Sequence, residues 1–278
     1  GTSSRFAPLS YEKPKALIEV KGEILIERQI EQLLDAGVSS IVVVTGYKAE
    51  MFKYLEKKYG IKLIHNAEFN TRNNNGSIFA VRDFLNNSYI CSADNYFVKN
   101  PFEKRVSDPY YAVVYAEGET TEWCVEVDSD QWIISVEIGG ENRWYMLGHV
   151  FFDQVFSRTF IDILTQNYNN PDYIGMYWED IYRKHIDRLK LKARKYSYLE
   201  ILEFDSLDEL RLFDESYVDN TRSIIVKEIV QQLGCKERDL VSFLPVIDLQ
   251  SKDVIGCKFM IDKQNYEFLY ENSQLMWI

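Results

Sequence analysis

The opening of the chain carries residues that can hold phosphate groups. A turn of small and hydroxyl residues is accompanied by two long cations: Gly1, Thr2, Ser3 and Ser4, then Arg5 and, after Pro14, Lys15. Backbone amides in such a turn donate hydrogen bonds to phosphate oxygens, and the two cations neutralise phosphate charge. An ordinary polar loop is the alternative interpretation, but Pro14 places Lys15 on a stiff, extended segment close to the same turn. We therefore predict a phosphate site at this end of the chain.

Helices and strands alternate over the first hundred residues, and they must position this loop. Residues 26–36 have the apolar spacing of a helix that ends at Gly37, and residues 41–44 (IVVV) read as a strand buried on both faces. Further helices and short strands follow up to the stretch SYICSADNYF. Alternation of this kind predicts a parallel sheet with helices on both faces. Ligands bind at the carboxyl ends of such strands, where residues 45–47 and 94–95 fall.

The pattern changes after about residue 108. Strands joined by turns are predicted up to residue 152, with helices around 153–167 and 173–187 and a helix in SLDELRLFD that Asp205 or Ser206 caps. We predict an α/β fold with a mixed, mostly parallel central sheet flanked by helices, in a domain of residues 1–213. Residues 214–278 are predicted to form a small α+β appendage: a helix, a short polar helix over KERDLVSF, and strands.

Composition excludes several classes of protein. A formal charge of -11 over 278 residues disfavours nucleic-acid binding and attraction to membrane surfaces, because phosphate contacts need clustered Lys and Arg. The chain lacks an apolar run of roughly 18 residues, so no membrane insertion is expected. The four cysteines have no CxxC spacing and are expected to be reduced thiols in a cytoplasmic protein.

The opening residues resemble the signature of a known enzyme family. Bacterial nucleotidyltransferases that join an NTP to a phosphorylated sugar or alcohol carry A-G-x-G-T-R-x-x-P followed by P-K-x-L, and this chain reads GTSSRFAPLSYEKPKAL. It departs by placing Ser3 and Ser4 where many members have Gly-Thr or Gly-Ser before the arginine. The family's first strand, which ends in Ala-Ala, does not precede Gly1, and we expect it to be missing from this sequence rather than from the protein.

Within that family the chain most resembles the CTP:phosphocholine cytidylyltransferases of the LicC type. Similar stretches run collinearly over residues 1–213 and include VVVTGYKAEMFKYLEKKYGIKLIHN, NNNGSIFAV, SYICSADNYFVKNPF, MYWEDIY and EFDSLDEL. The resemblance implies a nucleotide-diphospho-sugar transferase-like fold, related to GT-A and Rossmann folds. It also implies synthesis of CDP-choline and pyrophosphate from CTP and phosphocholine, with Mg²⁺ as cofactor.

The resemblance implies a role for each group of polar residues. Asp94 and Asp205 correspond to the metal-binding carboxylates, although helix capping is an alternative for Asp205. Arg5 and Lys15 would stabilise charge on the α-phosphate and on departing pyrophosphate, while residues 1–4 wrap the triphosphate. The base- and ribose-facing positions correspond to Gly46, Tyr47, Asn74 and Ser77.

Aromatic residues correspond to the acceptor site. A quaternary ammonium donates no N–H hydrogen bond, so proteins bind it with aromatic faces and a carboxylate. The matching positions are Trp123, Tyr177, Trp178 and Glu179, the last standing where choline-handling members have Asp. The alternative is that YWEDIYRKHI is an amphipathic helix with its rings in the core.

Other acceptors and other functions stay open. The same chemistry on phosphoethanolamine, 2-aminoethylphosphonate or a sugar 1-phosphate is one alternative, and a non-catalytic nucleotide-binding or assembly protein is another. The appendage faintly resembles the start of a choline kinase N-lobe, but it lacks the phosphate-loop pattern, so we expect no kinase activity. It is predicted to be a packing module or the contact of a homodimer.

Overall fold

A computed structural model of the chain describes residues 3–251 and 253–278, so the predicted phosphate-binding residues Gly1 and Thr2 lie outside the described part. The α-helices there are α1 Leu9–Glu12, α2 Leu25–Asp35, α3 Tyr54–Tyr59, α4 Asn74–Ala80, α5 Gln154–Asn167, α6 Pro171–Ile174, α7 Trp178–Lys184, α8 Leu207–Phe213 and α9 Ile224–Leu233. The strands are β1 Glu19–Val20, β2 Glu23–Ile24, β3 Val42–Thr45, β4 Lys62–His65, β5 Ser88–Cys91, β6 Asn95–Phe97, β7 Tyr110–Tyr115, β8 Glu119–Val127, β9 Ile133–Glu141, β10 Trp144–Phe152, β11 Lys192–Tyr196, β12 Ile201–Glu203, β13 Val241–Ile247, β14 Val254–Ile261, β15 Gln264–Leu269 and β16 Gln274–Trp277. Short 3-10 turns cover Ser4–Phe6, Lys15–Leu17, Ala49–Phe52, Arg82–Phe84, Glu215–Tyr217 and Glu237–Asp239.

The described residues form two compact units. The first unit is the continuous segment Gln29–Leu202, and the second combines residues 3–28 with Glu203–Ile278. This division differs from the one predicted at residues 213 and 214, because the opening loop belongs with the C-terminal part of the chain.

A six-stranded sheet forms the centre of the first unit. Its strands follow the order β11-β7-β10-β8-β9, and β5 pairs with β10. The predicted α/β class, with a central sheet, helices and a small C-terminal sheet region, is confirmed. The strand directions differ from the prediction, because the described ladders of this sheet are antiparallel except for β11 with β7. The short connection between β8 and β9 permits only an antiparallel pair, whereas a parallel pair needs a crossover of about a dozen residues. The predicted parallel pairing is found between β3 and β4.

Helices α5 and α7 contribute to the core of the first unit together with this sheet. Along α5 the buried residues recur at helical spacing, and Asp153 caps the helix by accepting from the Phe156 amide at 2.7 Å. Aromatic and aliphatic residues of β7, β10, α5 and α7 make up much of this core: Tyr111, Val113, Val150, Phe152, Phe156, Phe160, Ile163, Leu164, Trp178, Ile181 and Tyr182. The packing of α7 fixes the residues at its start, which include three of the predicted acceptor positions.

The second unit contains a four-stranded antiparallel sheet in the order β13-β14-β15-β16. Phe243, Phe259 and Phe268 are buried on one face of it, and the Phe243 and Phe259 ring centroids are 5.5 Å apart. The polar helix predicted over residues 236–243 is wrong at its end: only the 3-10 turn Glu237–Asp239 is helical, and residues 241–243 begin strand β13. The burial of Phe243 in the sheet explains the strand, because tertiary packing overrides weak local preference.

Two further sequence predictions concern membranes and cysteines. Over residues 3–251 and 253–278, no helix has the length and apolar character that crossing a bilayer requires. All four cysteines are unpaired thiols, and burial raises the pKa of both Cys91 and Cys257 to about 12. Thiols with pKa values this high are poor nucleophiles at neutral pH, which agrees with a structural role.

Candidate active site

The opening loop forms a charged cluster in the second unit. Ser3 has a left-handed backbone conformation, with φ at 49°, and its carbonyl accepts from the Phe6 amide at 2.9 Å across the turn Ser4–Phe6. This turn presents Arg5, whose Nη1 lies 2.8 Å from Oδ2 of Asp205. The Arg5 side chain is 75% exposed, so an incoming anion can reach its guanidinium.

Lys15 is buried in the same cluster, although it carries a charge. Its side chain is 5% exposed, and its Nζ lies 3.4 Å from both Glu203 Oε1 and Asp205 Oδ1. Burying an ammonium is costly unless carboxylates pair with it, and these two carboxylates reduce that cost. Glu203 was not predicted. Its spacing from Asp205 was the available signal, because residues two apart on an extended segment point to the same side.

The carboxylate of Asp205 engages cations, while its neighbour caps the helix. Ser206 is the N-cap of α8, and its Oγ accepts from the Glu209 amide at 3.2 Å. Of the two capping candidates in the sequence, the structure selects Ser206. Asp205 directs its two oxygens to Arg5 and Lys15, so it lies among the residues predicted to bind phosphates.

The oxygen donors around Asp205 fit Mg²⁺. Carboxylates are the protein ligands this ion prefers, and it usually takes one or two of them together with phosphate oxygens and water. The Asp205 side chain is 36% exposed and therefore accessible. In the described ranges no group of three or more His, Cys, Asp or Glu side chains could hold a metal ion.

Asp94 lies in the first unit, in the turn between β5 and β6. The backbone on either side of it is fixed by Gln29 of α2, which is 4% exposed. The Gln29 Nε2 donates to the carbonyls of Ser92 and Asn95, each at 2.8 Å. Gln29 was not predicted as a site residue. A glutamine next to the apolar face of an amphipathic helix was the signal that could have revealed it.

The ends of β3 and β4 bring Gly46 and Ser77 to one region of the first unit. The Thr45 carbonyl accepts from the Asn66 amide at 2.8 Å, and Asn66 Nδ2 donates to Ser77 Oγ at 3.3 Å. At Gly46 a side chain would clash, since a Cβ there would lie 2.6 Å from Phe69 Cβ. Tyr47 follows directly and is partly buried, and burial together with Glu50 raises its pKa. Asn66 was not predicted.

A polar cluster connects the start of α4 to the start of α7. Asn74 Nδ2 donates to Glu179 Oε2 at 3.0 Å, and Asn74 Oδ1 accepts from the Trp178 amide at 2.7 Å. The Tyr111 hydroxyl donates to Glu179 Oε1 at 3.3 Å. Burial raises the pKa of Glu179 to about 7, against the opposing effect of these hydrogen bonds. Asn74, which was predicted to bind the nucleotide, is therefore in contact with Glu179, which was predicted to bind the acceptor.

The predicted acceptor rings differ in exposure. Tyr177 is 48% exposed, and its ring centroid lies 6.5 Å from that of Trp123 in an edge-on arrangement. Trp178 is only 4% exposed and stacks on Tyr111 at 5.6 Å in the core. The burial of Trp178 agrees with the alternative interpretation that this ring is structural. Its predicted contact with the acceptor stays a prediction.

Further residues around this cluster were missed by sequence reasoning. The side chain of Asn73 donates to the Gly175 carbonyl, and that of Asn75 donates to the carbonyls of Tyr173, at 2.9 Å, and Met176. Arg183 places its guanidinium 5.6 Å from the Trp123 ring centroid. The run of three asparagines was visible in the sequence, but its partners lie about a hundred residues away and could not be deduced from it.

Comparison with known proteins identifies the relatives of this chain. Residues 1–133 match the MobA-like NTP transferase domain. The choline-phosphate cytidylyltransferase of Streptococcus pneumoniae is 30% identical over 77% of this chain and 94% of its own length. The 2-aminoethylphosphonate cytidylyltransferase of Lancefieldella rimae is 34% identical over 80% of this chain and 92% of its own length.

A solved structure agrees with these sequence matches. The CTP:phosphocholine cytidylyltransferase LicC from Streptococcus pneumoniae superposes with a TM-score of 0.74 at 30% identity, covering 78% of this chain and 95% of that one. The family resemblance predicted from the sequence is therefore confirmed. The chain belongs to the nucleotidyltransferase family that includes these cytidylyltransferases, and it is a nucleotidyltransferase.

Proposed function

We propose that the chain transfers CMP from CTP to phosphocholine, giving CDP-choline and pyrophosphate. The observation that carries this proposal is at the start of α7, where the exposed ring of Tyr177 meets that of Trp123 edge-on. The partly buried carboxylate of Glu179 follows two residues later and accepts hydrogen bonds from Asn74 and Tyr111. Aromatic faces with a nearby carboxylate bind a quaternary ammonium, which cannot donate a hydrogen bond. Both 30%-identical matches, in sequence and in structure, are to choline-phosphate cytidylyltransferases.

The proposed reaction is an in-line displacement. A phosphate oxygen of phosphocholine attacks the α-phosphorus of CTP, a new P–O bond forms, and the bond to the pyrophosphate leaving group breaks. The attacking phosphate is already an anion near neutral pH, so the step needs no general base. Arg5 and Lys15 are proposed to stabilise the negative charge that builds on the α-phosphate and on pyrophosphate.

Asn74 and Ser77 of α4, with Gly46 and Tyr47, are proposed to bind the nucleoside. The hydrogen bond between Asn74 and Glu179 would then join nucleotide binding to acceptor binding within one unit.

Mg²⁺ is proposed as cofactor, with Asp205 and Asp94 as its predicted ligands. When bound, it would neutralise triphosphate charge. Replacing Asp94 by asparagine is expected to abolish turnover without unfolding the chain.

2-Aminoethylphosphonate is the second candidate acceptor. The relative that uses it by name is 34% identical to this chain over a similar length. A primary ammonium favours carboxylates over rings, and Glu179 and Asp180 both lie in the first turn of α7. The exposed ring of Tyr177 supports choline, because a primary amine gains less from an aromatic face than from a hydrogen bond to oxygen.

Pyrophosphate release with Mg²⁺ tests the proposal. CTP, UTP, dTTP, GTP and ATP would each be combined with phosphocholine, phosphoethanolamine, 2-aminoethylphosphonate and glucose 1-phosphate. We expect turnover with CTP and phosphocholine to exceed every other pair by at least about tenfold, because the ammonium contact supplies differential binding. Greater turnover with 2-aminoethylphosphonate would identify that compound, and not phosphocholine, as the acceptor. CTP binding without any turnover would contradict the enzymatic proposal.

A further inference from the structure

Glu12 joins the opening segment to the C-terminal helix α9 within the second unit. Its Oε1 accepts from Ser223 Oγ at 3.0 Å and from the Ile225 amide at 2.7 Å. Ser223 is itself the N-cap of α9 and accepts from the Val226 amide at 3.0 Å. Glu12 therefore satisfies an amide at the helix start that has no partner within the helix. The link is built from two hydrogen bonds to one carboxylate.

An aromatic contact lies next to this link. The rings of Tyr11 and Tyr270 have their centroids 4.1 Å apart at an interplanar angle of 35°. Tyr11 immediately precedes Glu12, and Tyr270 follows directly after β15 of the C-terminal sheet. The end of α1 is thus held by both the helix and the sheet of the C-terminal segment.

The chain on the other side of Lys15 is held in the same way. The Tyr217 hydroxyl donates to the Glu19 carbonyl at 2.7 Å, and Arg222 Nη2 lies 3.4 Å from the Glu19 carboxylate. The Lys21 amide donates to Asp214 Oδ2 at 2.7 Å. Contacts from residues 214–270 therefore flank Lys15 at Glu12 and at Glu19.

We propose that the C-terminal segment, residues 214–278, positions the phosphate-binding loop of this enzyme. Its anchors at Glu12 and Tyr11 hold the segment that carries Arg5 and Lys15, so that both cations meet the triphosphate in a fixed geometry. This inference rests on the proposed role of Arg5 and Lys15 in triphosphate binding. Glu12 and Tyr270 are positioning residues, since they act through the loop.

The physical reason is that a buried cation tolerates little displacement. Lys15 meets Glu203 and Asp205 at 3.4 Å and is 5% exposed, so movement of its backbone would change the charge presented to a phosphate. A segment as short as the four-residue α1 is marginal on its own, and tertiary contacts must hold it. The anchors supply those contacts.

Five variants of the full chain test the proposal: two that remove an anchor, a matched control for each, and one conservative rescue. Glu12→Ala removes the carboxylate oxygen that accepts both hydrogen bonds from the start of α9. Glu12→Gln keeps one acceptor oxygen and is the conservative rescue. Asp239→Ala is the matched control, because that carboxylate accepts from the Lys236 amide at 2.9 Å within the C-terminal segment itself. Tyr270→Leu removes the ring beside Tyr11, and Tyr266→Leu removes a ring that instead stacks on Phe259 at 5.6 Å.

The readouts are the Kd of CTP by calorimetry, the KM values of both substrates, and inhibition by pyrophosphate. Glu12→Ala and Tyr270→Leu are expected to raise the CTP Kd and the pyrophosphate Ki about tenfold, while the acceptor KM changes less than about twofold. Glu12→Gln should recover part of the loss, and both controls should match the unchanged protein. A general loss of folding would instead raise every constant together.

Unchanged CTP Kd and pyrophosphate Ki in Glu12→Ala and Tyr270→Leu would overturn the positioning role. Equal increases for CTP and acceptor would also overturn it. The proposed function fails separately: a wild-type chain that binds CTP but turns over no acceptor keeps the calorimetric test of Glu12 intact. A wild-type chain that binds no nucleoside triphosphate would overturn both proposals.

Discussion

Glu179 places a carboxyl group with a pKa of about 7 among the residues proposed to bind the acceptor. Burial causes this shift by disfavouring the charged form, while Asn74 and Tyr111 oppose it by donating hydrogen bonds. A cationic acceptor binds the ionised carboxylate better than the neutral acid. Near neutral pH, binding of such a cation should therefore release a proton.

The pH dependence of acceptor affinity follows from that shift. Between pH 6 and pH 8 the ionised fraction of a group with this pKa rises about tenfold, so the acceptor KM should fall by about the same factor. The phosphate of the acceptor also titrates, near pH 6. Glu179→Gln is therefore the control. It leaves the titration of the substrate's phosphate in the pH profile and removes the titration of the Glu179 carboxyl. A pH profile identical in both proteins would contradict the role of Glu179.

Trp178 is buried and its neighbour Tyr177 is exposed, so substitution of the first should lower stability and substitution of the second should weaken acceptor binding. Trp178→Ala removes a core ring that is 4% exposed and should lower the free energy of unfolding by about 3–5 kcal/mol. Tyr177→Ala, at a 48% exposed ring, should leave stability nearly unchanged and raise the acceptor KM about 5- to 30-fold, with little effect on the CTP KM.

Tyr198→Ala is the matched control for Tyr177, because that tyrosine is 63% exposed elsewhere in the first unit. Denaturant unfolding and initial rates with each substrate varied would separate the two effects. Equal changes in the KM of both substrates after Tyr177→Ala would assign the ring a structural role.

At the scale of elements, the asparagines ahead of and within α4 hold the segment that leads into α7. Asn75 is fully buried, and its Nδ2 bonds the carbonyls of Tyr173 and Met176. Asn75→Ala should lower the free energy of unfolding by about 1–3 kcal/mol, because buried carbonyls lose their donor. It should also raise the KM of both substrates, since α4 carries Asn74 and the segment ends at Tyr177.

Asn87→Ala provides the comparison, because Asn87 Oδ1 accepts from the Gln154 amide at 3.1 Å at the start of α5. Steady-state kinetics and denaturant unfolding of the two variants would be measured in parallel. If Asn75→Ala changes only one KM, the link between α4 and the segment before α7 does not act on both substrates.

The sequence predicted most elements and fewer of the contacts. Apolar periodicity located α2 and α9, because the burial of a helix face follows from local spacing, and a continuous apolar run located β3. Strand direction in the central sheet was predicted wrongly, since pairing depends on partners distant in the chain. Motif spacing proposed Lys15 and Asp205 together, and the structure pairs them. Glu203 and Gln29 were missed although each had a local signal, while Tyr111 was missed because its partner Glu179 lies 68 residues away in the chain.

At the scale of the whole molecule, nucleotide binding should raise the melting temperature of the protein. A ligand at about 100 times its Kd stabilises the folded state by about 2.7 kcal/mol, which for a protein of this size raises Tm by roughly 5–10 °C. We expect CTP with Mg²⁺ to give such a shift, and Lys15→Ala to reduce it, because Lys15 is proposed to stabilise the triphosphate. Differential scanning fluorimetry measures both. A Tm shift that GTP reproduces in full would contradict selectivity for cytosine at the binding step.

The discontinuous second unit has a consequence for the order of events during synthesis. The first unit is one continuous segment, so it can fold as soon as residue 202 has left the ribosome. The cluster of Arg5, Lys15 and Asp205 must wait, because residues 29–202 are made between its parts. At about 5–20 residues per second, that wait lasts roughly 10–35 s. Ribosome-bound chains stalled before residue 203 should therefore leave the opening segment sensitive to protease, and it becomes protected only when the C-terminal part emerges.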